Sequence, residues 1–590
     1  MKIFKKYWFW IIFVIGIVLI ISKFTYHSDL VNVAVNSARI ANGDLSLKVE
    51  TAERGLTYSS FFPPVFHLID GLLYFPFQKL GIYKFDLMNE ITTDQLVLVS
   101  FLLKLRYLVL FILALFLVGG LVKSHIKDFK DINKIFLLWL LCPVLIFVPF
   151  AWGNNDIYPM FFSLLFLLFA FKKKNIWAMI FLGLSMAMKN YAVFLVLPAA
   201  VILANKNVKK TIIYCLVSAV VYLIPYMIFY EVAHTFVTGG GEGLFILQRN
   251  ILNGPLLFPL FYFLIVFFLF FKQDVNDDNK NEVLTKYCFL ILSLFYLASF
   301  FIPHWFLWIM PFFVLTVYKD RRLFYLYCLI LFCFFISLFS WSRNIDMNLF
   351  SVSFPMINKI IPLGDFISTY FPDFKFFSII YSLFFAAFLA YIYILFFEKK
   401  KNDLIEKEIK YFSLLPLFIY LLICFVYVVG MNYLRNRKDV DWYDLGLISR
   451  NELVGKIDDS NIYYQTFKSP KNNLKGINVF FATYGNGKKV ATPYSLKLYE
   501  ADCKTKILET PISVEKITDY EYREVLFNEL KDSEGKEYCF TVEPSVEEVE
   551  TPLSLVYSKS NSYSDGNLLI DGVLEKDDDA VFQLIYPVKE

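Results

Sequence analysis

Apolar residues in this chain do not alternate with polar ones at helix-face or strand-face spacing; they run in long blocks. The blocks stand at about 7–23, 101–121, 135–150, 157–171, 175–188, 190–204, 211–230, 255–271, 287–303, 306–317, 323–341, 376–397 and 411–430. Crossing a bilayer as a helix takes about 20 apolar residues, so this pattern predicts a polytopic α-helical membrane protein of about 13 spans. Several blocks are too short to cross alone. Those around Asn190 and His304 read as broken or half-helices, which a membrane accepts where irregular backbone is buried in protein or lines a cavity.

Past about residue 440 the pattern changes. Stretches at 477–484, 494–499, 538–542, 553–557 and 581–586 are short, β-branched and aromatic, and turn signals such as Gly485-Asn486-Gly487 and Asp565-Gly566 separate them. Roughly 150 residues of this kind predict one all-β sandwich. The organisation read from the chain is a membrane domain over 1–430 with a first outer loop at 24–100, a linker over 431–445, and an extracytoplasmic β-sandwich over 446–590.

Composition agrees with that division: 57% of the 590 residues are hydrophobic and 19% aromatic, with a net charge of only +4. The small charge says little about partners, and no basic patch interleaved with aromatics suggests nucleic acid. Basic residues supply the sidedness. Met1-Lys2-Ile3-Phe4-Lys5-Lys6 precedes a block without a small-x-small cleavage site, which reads as a retained first helix starting inside. Lysines and arginines at 123–134, 172–174, 206–210, 319–322 and 399–401 then fall in the loops that alternation puts in the cytoplasm. Arg435, Arg437 and Lys438 follow the last span on the outer side and run against the rule. Six of the eight cysteines lie in apolar blocks and read as small packing residues; Cys503 and Cys539 lie in the β-region and can pair if it is exported.

Candidate chemistry collects on the outer side. The first loop opens with Tyr26-His27-Ser28-Asp29-Leu30 and closes with Phe61-Phe62-Pro63-Pro64-Val65. An acid just beyond a first span suits a general base held over a lipid-linked substrate; the plain reading of Asp29 is an interfacial or helix-capping acid. His27 either orients Asp29, touches an acceptor or has no role. Asn154 and Asn155 precede Asp156, which is either a sugar-binding or second acidic residue or a helix-start carboxylate favoured by the dipole alone. Lys189 lies between two apolar blocks, where a charge needs a cavity or a partner; a donor phosphate is one, and snorkelling to the surface is the alternative. Arg249 follows Gly239-Gly240-Gly241-Glu242-Gly243, which lacks the ending of a Walker loop, and is a second phosphate candidate. No metal-ligand spacing occurs, and the sequence leaves a divalent-ion requirement open.

Asp29, Phe62-Pro63-Pro64-Val65, Trp152-Gly153-Asn154-Asn155-Asp156, the stretch 183–198 and Pro303-His304-Trp305 occur in an order and sidedness that resembles the GT-C superfamily of integral-membrane glycosyltransferases, over roughly residues 20–315. Within it the pattern is most similar to bacterial relatives of the mannosyltransferases that use polyprenyl-phosphate sugars. The β-region separately resembles the jelly-roll modules fused to such proteins, through Gln465-Thr466-Phe467-Lys468-Ser469-Pro470 and Leu474-Lys475-Gly476-Ile477. The resemblance implies an inverting transfer of a hexose, mannose foremost, from a polyprenyl-phosphate donor to a glycan or glycolipid acceptor among membrane lipids, with Asp29 as general base. His304 departs from the Asn-Pro-Gln or His-Pro-Gln of many relatives.

Two other classes fit the same spans. A flippase or other transporter of lipid-linked saccharides would not need the acidic first loop, and internal repeat symmetry is expected of one but not found. A non-catalytic membrane anchor carrying a glycan-binding module would leave Lys189 without a purpose.

Overall fold

The computed structural model describes residues 2–27, 30, 64–79, 93–125, 129–228, 256–298, 302–345, most of 347–398, 402–435 and, in the C-terminal part, 444–445, 451–453, 457, 462–482, 492–512, 521–546 and most of 553–586. These form two compact units, Met1–Ser353 with Pro362–Ile423, and Phe354–Ile361 with Cys424–Glu590.

The first unit is helical, and the described residues of each of the thirteen apolar blocks lie mostly on helix. In chain order the elements that matter for the site are α1 (Lys2–Phe24), α2 (Pro64–Lys79), α3 (Thr93–His125), α4 (Phe129–Leu140), α5 (Pro143–Ile146), α6 (Ile157–Phe171), α7 (Asn175–Met188), α8 (Val193–Leu203), α9 (Val208–Ile228), α10 (Leu257–Phe271), α11 (Lys280–Ala298) and α12 (Met310–Val317). Among the described residues seven helices are long and apolar enough to cross a membrane, or eight if the pair Lys130–Leu140 and Pro143–Trp152, bent by 44°, is one span. The chain is a multi-pass membrane protein. Helices α6, α7, α8 and α10 are apolar but shorter, as the short blocks led one to expect.

Burial sorts the helices. In α9 only 11% of the spanning window is buried, and Ile212, Leu216, Val220 and Leu223 stand exposed, whereas 72% of the α11 window is buried. An apolar and exposed side belongs against lipid, so α9 is peripheral and α11 central. Gly183 lets α7 approach α9 closely: a Cβ there would lie 2.7 Å from the Ser218 carbonyl oxygen, the small-residue contact expected between membrane helices.

The chain breaks where the site forms. Pro143 at the first turn of α5 restarts the helix after α4. The next turn, Phe147–Trp152, is a π-helix that ends at Gly153, whose φ of 80° is left-handed. Such wide turns release backbone from the regular ladder and re-aim side chains. Two further breaks are single 3₁₀ segments, Asn190–Ala192 between α7 and α8 and Pro303–Trp308 between α11 and α12. The broken helices expected around Asn190 and His304 are therefore present.

The second unit carries two antiparallel sheets. Strands β1 (Asp444–Leu445), β4 (Leu474–Ala482), β7 (Glu521–Leu530), β9 (Ser554–Ser558), β12 (Asp579–Ala580) and β13 (Phe582–Ile585) make one sheet with β2 (Asn451–Leu453). The other runs β11-β10-β3-β8-β5-β6, from Val573–Glu575 through Leu568–Ile570, Tyr463–Lys468, Glu537–Pro544 and Tyr494–Glu500 to Lys506–Ile512. Inward residues of both sheets, among them Phe467, Leu496, Phe540, Ile477, Val479 and Phe582, share one buried core, which makes the region a sandwich. Cys503 and Cys539 are joined by a disulfide.

Candidate functional site

Asp156 lies at the centre of the site. It follows the π-turn and Gly153, in a turn where the Asn154 side-chain oxygen accepts a hydrogen bond from the Asp156 amide at 3.0 Å. Asn154, Asn155 and Asp156 are all buried, Asp156 completely. It occupies the N-cap position of α6, yet its side chain makes no capping hydrogen bond. The carboxylate is turned elsewhere: Lys189 Nζ lies 3.4 Å from Oδ1 and His304 Nε2 lies 3.8 Å from Oδ2. Helix-dipole compensation alone does not account for that geometry.

Lys189 reaches Asp156 because α7 ends there. Its backbone is extended (φ −158°, ψ 128°), its amide still bonds the Ser185 carbonyl at 3.1 Å, and the 3₁₀ turn follows at once. The ammonium also stands 6.0 Å from the centroid of the Trp308 ring, and Tyr191 stacks on Trp308 with 3.9 Å between centroids. With 16% of its side chain exposed, Lys189 is paired inside the protein and does not snorkel to a distant surface.

His304 arrives from the opposite side of the chain on the 3₁₀ turn after α11. Its ring meets Trp152 edge-on at 4.9 Å, and Trp152 in turn meets His27 at 5.6 Å. His27 therefore joins the cluster through Trp152. The Pro303–Trp308 turn lies outside the spanning helices, and there burial pushes the His304 imidazole well below the usual histidine range, with the positive charges of Lys189 and His27 adding to the effect. Three buried indole N–H donors, Trp152 Nε1, Trp305 Nε1 and Trp308 Nε1, have no hydrogen-bond partner among the described residues. Buried donors are ordinarily satisfied. A set of them beside a lysine suits a ligand rich in oxygen acceptors.

Below this cluster lies polar structure that sequence reasoning missed. Asp70 of α2 is fully buried and accepts from Arg106 Nη1 of α3 and from the hydroxyl of Tyr158, two residues beyond Asp156. Lys104, also on α3, donates to the Thr25 carbonyl at 2.7 Å. The signal was available in part: two basic residues, Lys104 and Arg106, inside the apolar block 101–121 mark an internal network by default.

The structure thus gathers Asp156, Lys189 and His304 directly, Asn154 and Asn155 through their shared turn, and His27 through Trp152. Asp29 and Arg249 lie outside the described residues. Among the described residues no three His, Cys, Asp or Glu side chains group to hold a metal ion. In comparison with known families, residues 85–244, just over a quarter of the chain, fit the family model described as Glycosyltransferase family 87. That stretch contains Asn154, Asn155, Asp156 and Lys189, and the match indicates a glycosyltransferase. No curated protein matches the chain.

Proposed function

We propose, starting from that match, that the protein moves a hexose from a polyprenyl-phosphate donor to an extracytoplasmic glycan or glycolipid acceptor, with inversion at the anomeric carbon. Mannose is the sugar favoured by the resemblance noted above. The observation that carries the proposal is the meeting of Asp156, Lys189 and His304 from three separate helix breaks in a buried, donor-rich site, with two of the three inside the matched stretch.

In this reading the acceptor hydroxyl attacks the anomeric carbon as the sugar–phosphate C–O bond breaks. The acceptor proton passes to Asp29, and the bond electrons leave with polyprenyl phosphate. A positioned carboxylate contributes about 10²- to 10⁴-fold to such a step. The leaving phosphate requires no acid but gains from fixed positive charge and N–H donors, the role assigned to Lys189 and, as a second candidate, to Arg249. Asp156 keeps Lys189 extended toward the site. His304, neutral by its surroundings, offers a hydrogen bond without adding charge. The β-sandwich, read as a jelly-roll module, holds acceptor glycan; its disulfide suits an oxidising, extracytoplasmic location.

The test is transfer by purified protein from synthetic polyprenyl-phosphate hexoses to cell-envelope glycan, with the anomeric configuration of the product determined. Asp29→Asn is expected to abolish transfer with expression, membrane insertion and donor binding near normal. Full activity in that variant removes Asp29 from the base role, and a retained configuration rejects the single displacement.

A further inference from the structure

Lys104 is 1% exposed, and the acceptors that its Nζ meets among the described residues are all neutral. Nζ donates to the Thr25 carbonyl at 2.7 Å, to Thr25 Oγ1 at 2.8 Å and to the Ala151 carbonyl at 3.4 Å. Among the described residues no carboxylate pairs with it. Ser100, one turn earlier on α3, adds a hydrogen bond to the same Thr25 carbonyl at 3.2 Å, and the Thr25 hydroxyl lies 3.2 Å from the Phe150 carbonyl.

An apolar side chain of similar volume would fill such a space without the cost of taking an amine out of water. What the lysine adds is a fixed relation between two segments, the end of α1 and the end of the π-turn. His27 comes two residues after Thr25, and Trp152 one residue after Ala151. Their rings are in contact, and Trp152 carries the contact on to His304. Gly153 closes over the knot: a Cβ there would meet Lys104 Cε and Leu30 Cδ2, each at 3.2 Å. We infer that Lys104 is a positioning residue for the proposed transfer. It holds the first-loop residues and the Trp152–Asp156 turn in one arrangement while remaining sealed from substrate. The inference rests on the reading of this site as a glycosyl-transfer centre.

The experiment uses the full-length protein with Lys104→Met, which keeps the length of the side chain and removes the donor, and with Thr25→Val, which removes one acceptor. Displacement of catalytic groups by about 1 Å costs roughly 10²-fold. Lys104→Met is therefore expected to lower kcat by that order with KM for the lipid-linked donor held to about twofold. Thr25→Val is expected to lower it less, and the double variant to be no worse than Lys104→Met alone, since both changes break one knot. An independent readout is the oxidative cross-linking yield of cysteines placed at positions 27 and 152, which is expected to drop several-fold when Lys104→Met is added. Unchanged kcat and cross-linking in folded protein overturn the inference, as do a rise in KM alone or losses that add in the double variant. If the wild type transfers no sugar, the glycosyl-transfer reading fails by itself, and the cross-linking yield still decides whether Lys104 fixes the two segments.

Discussion

Lys189 Nζ stands 3.4 Å from Asp156 Oδ1, between the end of one helix and the start of another, with the carboxylate fully buried and His304 on its other oxygen. Neither charge has enough water to be stable alone. Removing one partner of such a pair leaves the other uncompensated and costs about 3–5 kcal/mol, whereas removing both leaves less to solvate.

Asp156→Asn and Lys189→Met are each expected to destabilise the membrane unit by about 3 kcal/mol, and the double variant by less than either sum. Unfolding of the purified protein in detergent measures this. Full additivity would mean that the two side chains do not act as a pair.

Histidine 304 makes a prediction about pH. Its imidazole is held well below the usual range, first by burial and then by Lys189 and His27. Below about pH 6.5 the unfolded chain takes up a proton that the native chain refuses. The stability this residue contributes is therefore full above about pH 6.5 and falls as the pH drops toward the lower native value. The melting temperature of the wild type should decline from pH 7 to pH 5 more steeply than that of His304→Gln. Equal slopes would contradict the assignment.

Much of the fold was legible in the chain because a spanning helix satisfies its own backbone and shows its side chains to lipid, which takes about 20 apolar residues in a row. The strands at 477–484, 494–499 and 538–542 were legible from β-branched and aromatic runs between turns. The site was legible only in part. Asp156, Lys189 and His304 stood out as polar residues at breaks in apolar blocks, but their mutual contact is a tertiary fact. Asp70 and Arg106 went unnoticed because Asp70 lies in the stretch read as an outer loop and Arg106 near the start of an apolar block, and their pairing spans two helices. Tyr191 and Trp308 were hidden for a different reason. With 19% aromatic residues, a packing role is the default for any one of them.

Helix packing yields a prediction at glycine. Gly183→Ala places a Cβ 2.7 Å from the Ser218 carbonyl oxygen, so α7 and α9 must separate, and overpacking of this kind costs about 1–3 kcal/mol. Gly16→Ala is the control, since a Cβ at that position meets nothing within 4 Å. Gly183→Ala should melt at a lower temperature than Gly16→Ala. Equal melting would mean that the helices have room to spare.

The β-unit has its own test. The Cys503–Cys539 disulfide closes a separation of 36 residues, and loss of such a bridge typically costs about 2–4 kcal/mol. Cys503→Ser is expected to lower the unfolding midpoint of this unit, followed by protease sensitivity of the β-region, and reducing agent should act on the wild type in the same direction. Resistance of the midpoint to both treatments would count against a structural role for the bridge.

The central claim is that the Asp156–Lys189–His304 cluster serves sugar transfer from a lipid phosphate. Its most direct test is transfer of labelled hexose from synthetic polyprenyl-phosphate donors by the purified protein, wild type beside Lys189→Met. The account predicts transfer by the wild type and a loss of at least about tenfold in the variant, as expected when a charge on the leaving phosphate is removed. Wild-type protein that is folded yet transfers no hexose from any such donor, or Lys189→Met protein that transfers at the full rate, would contradict it.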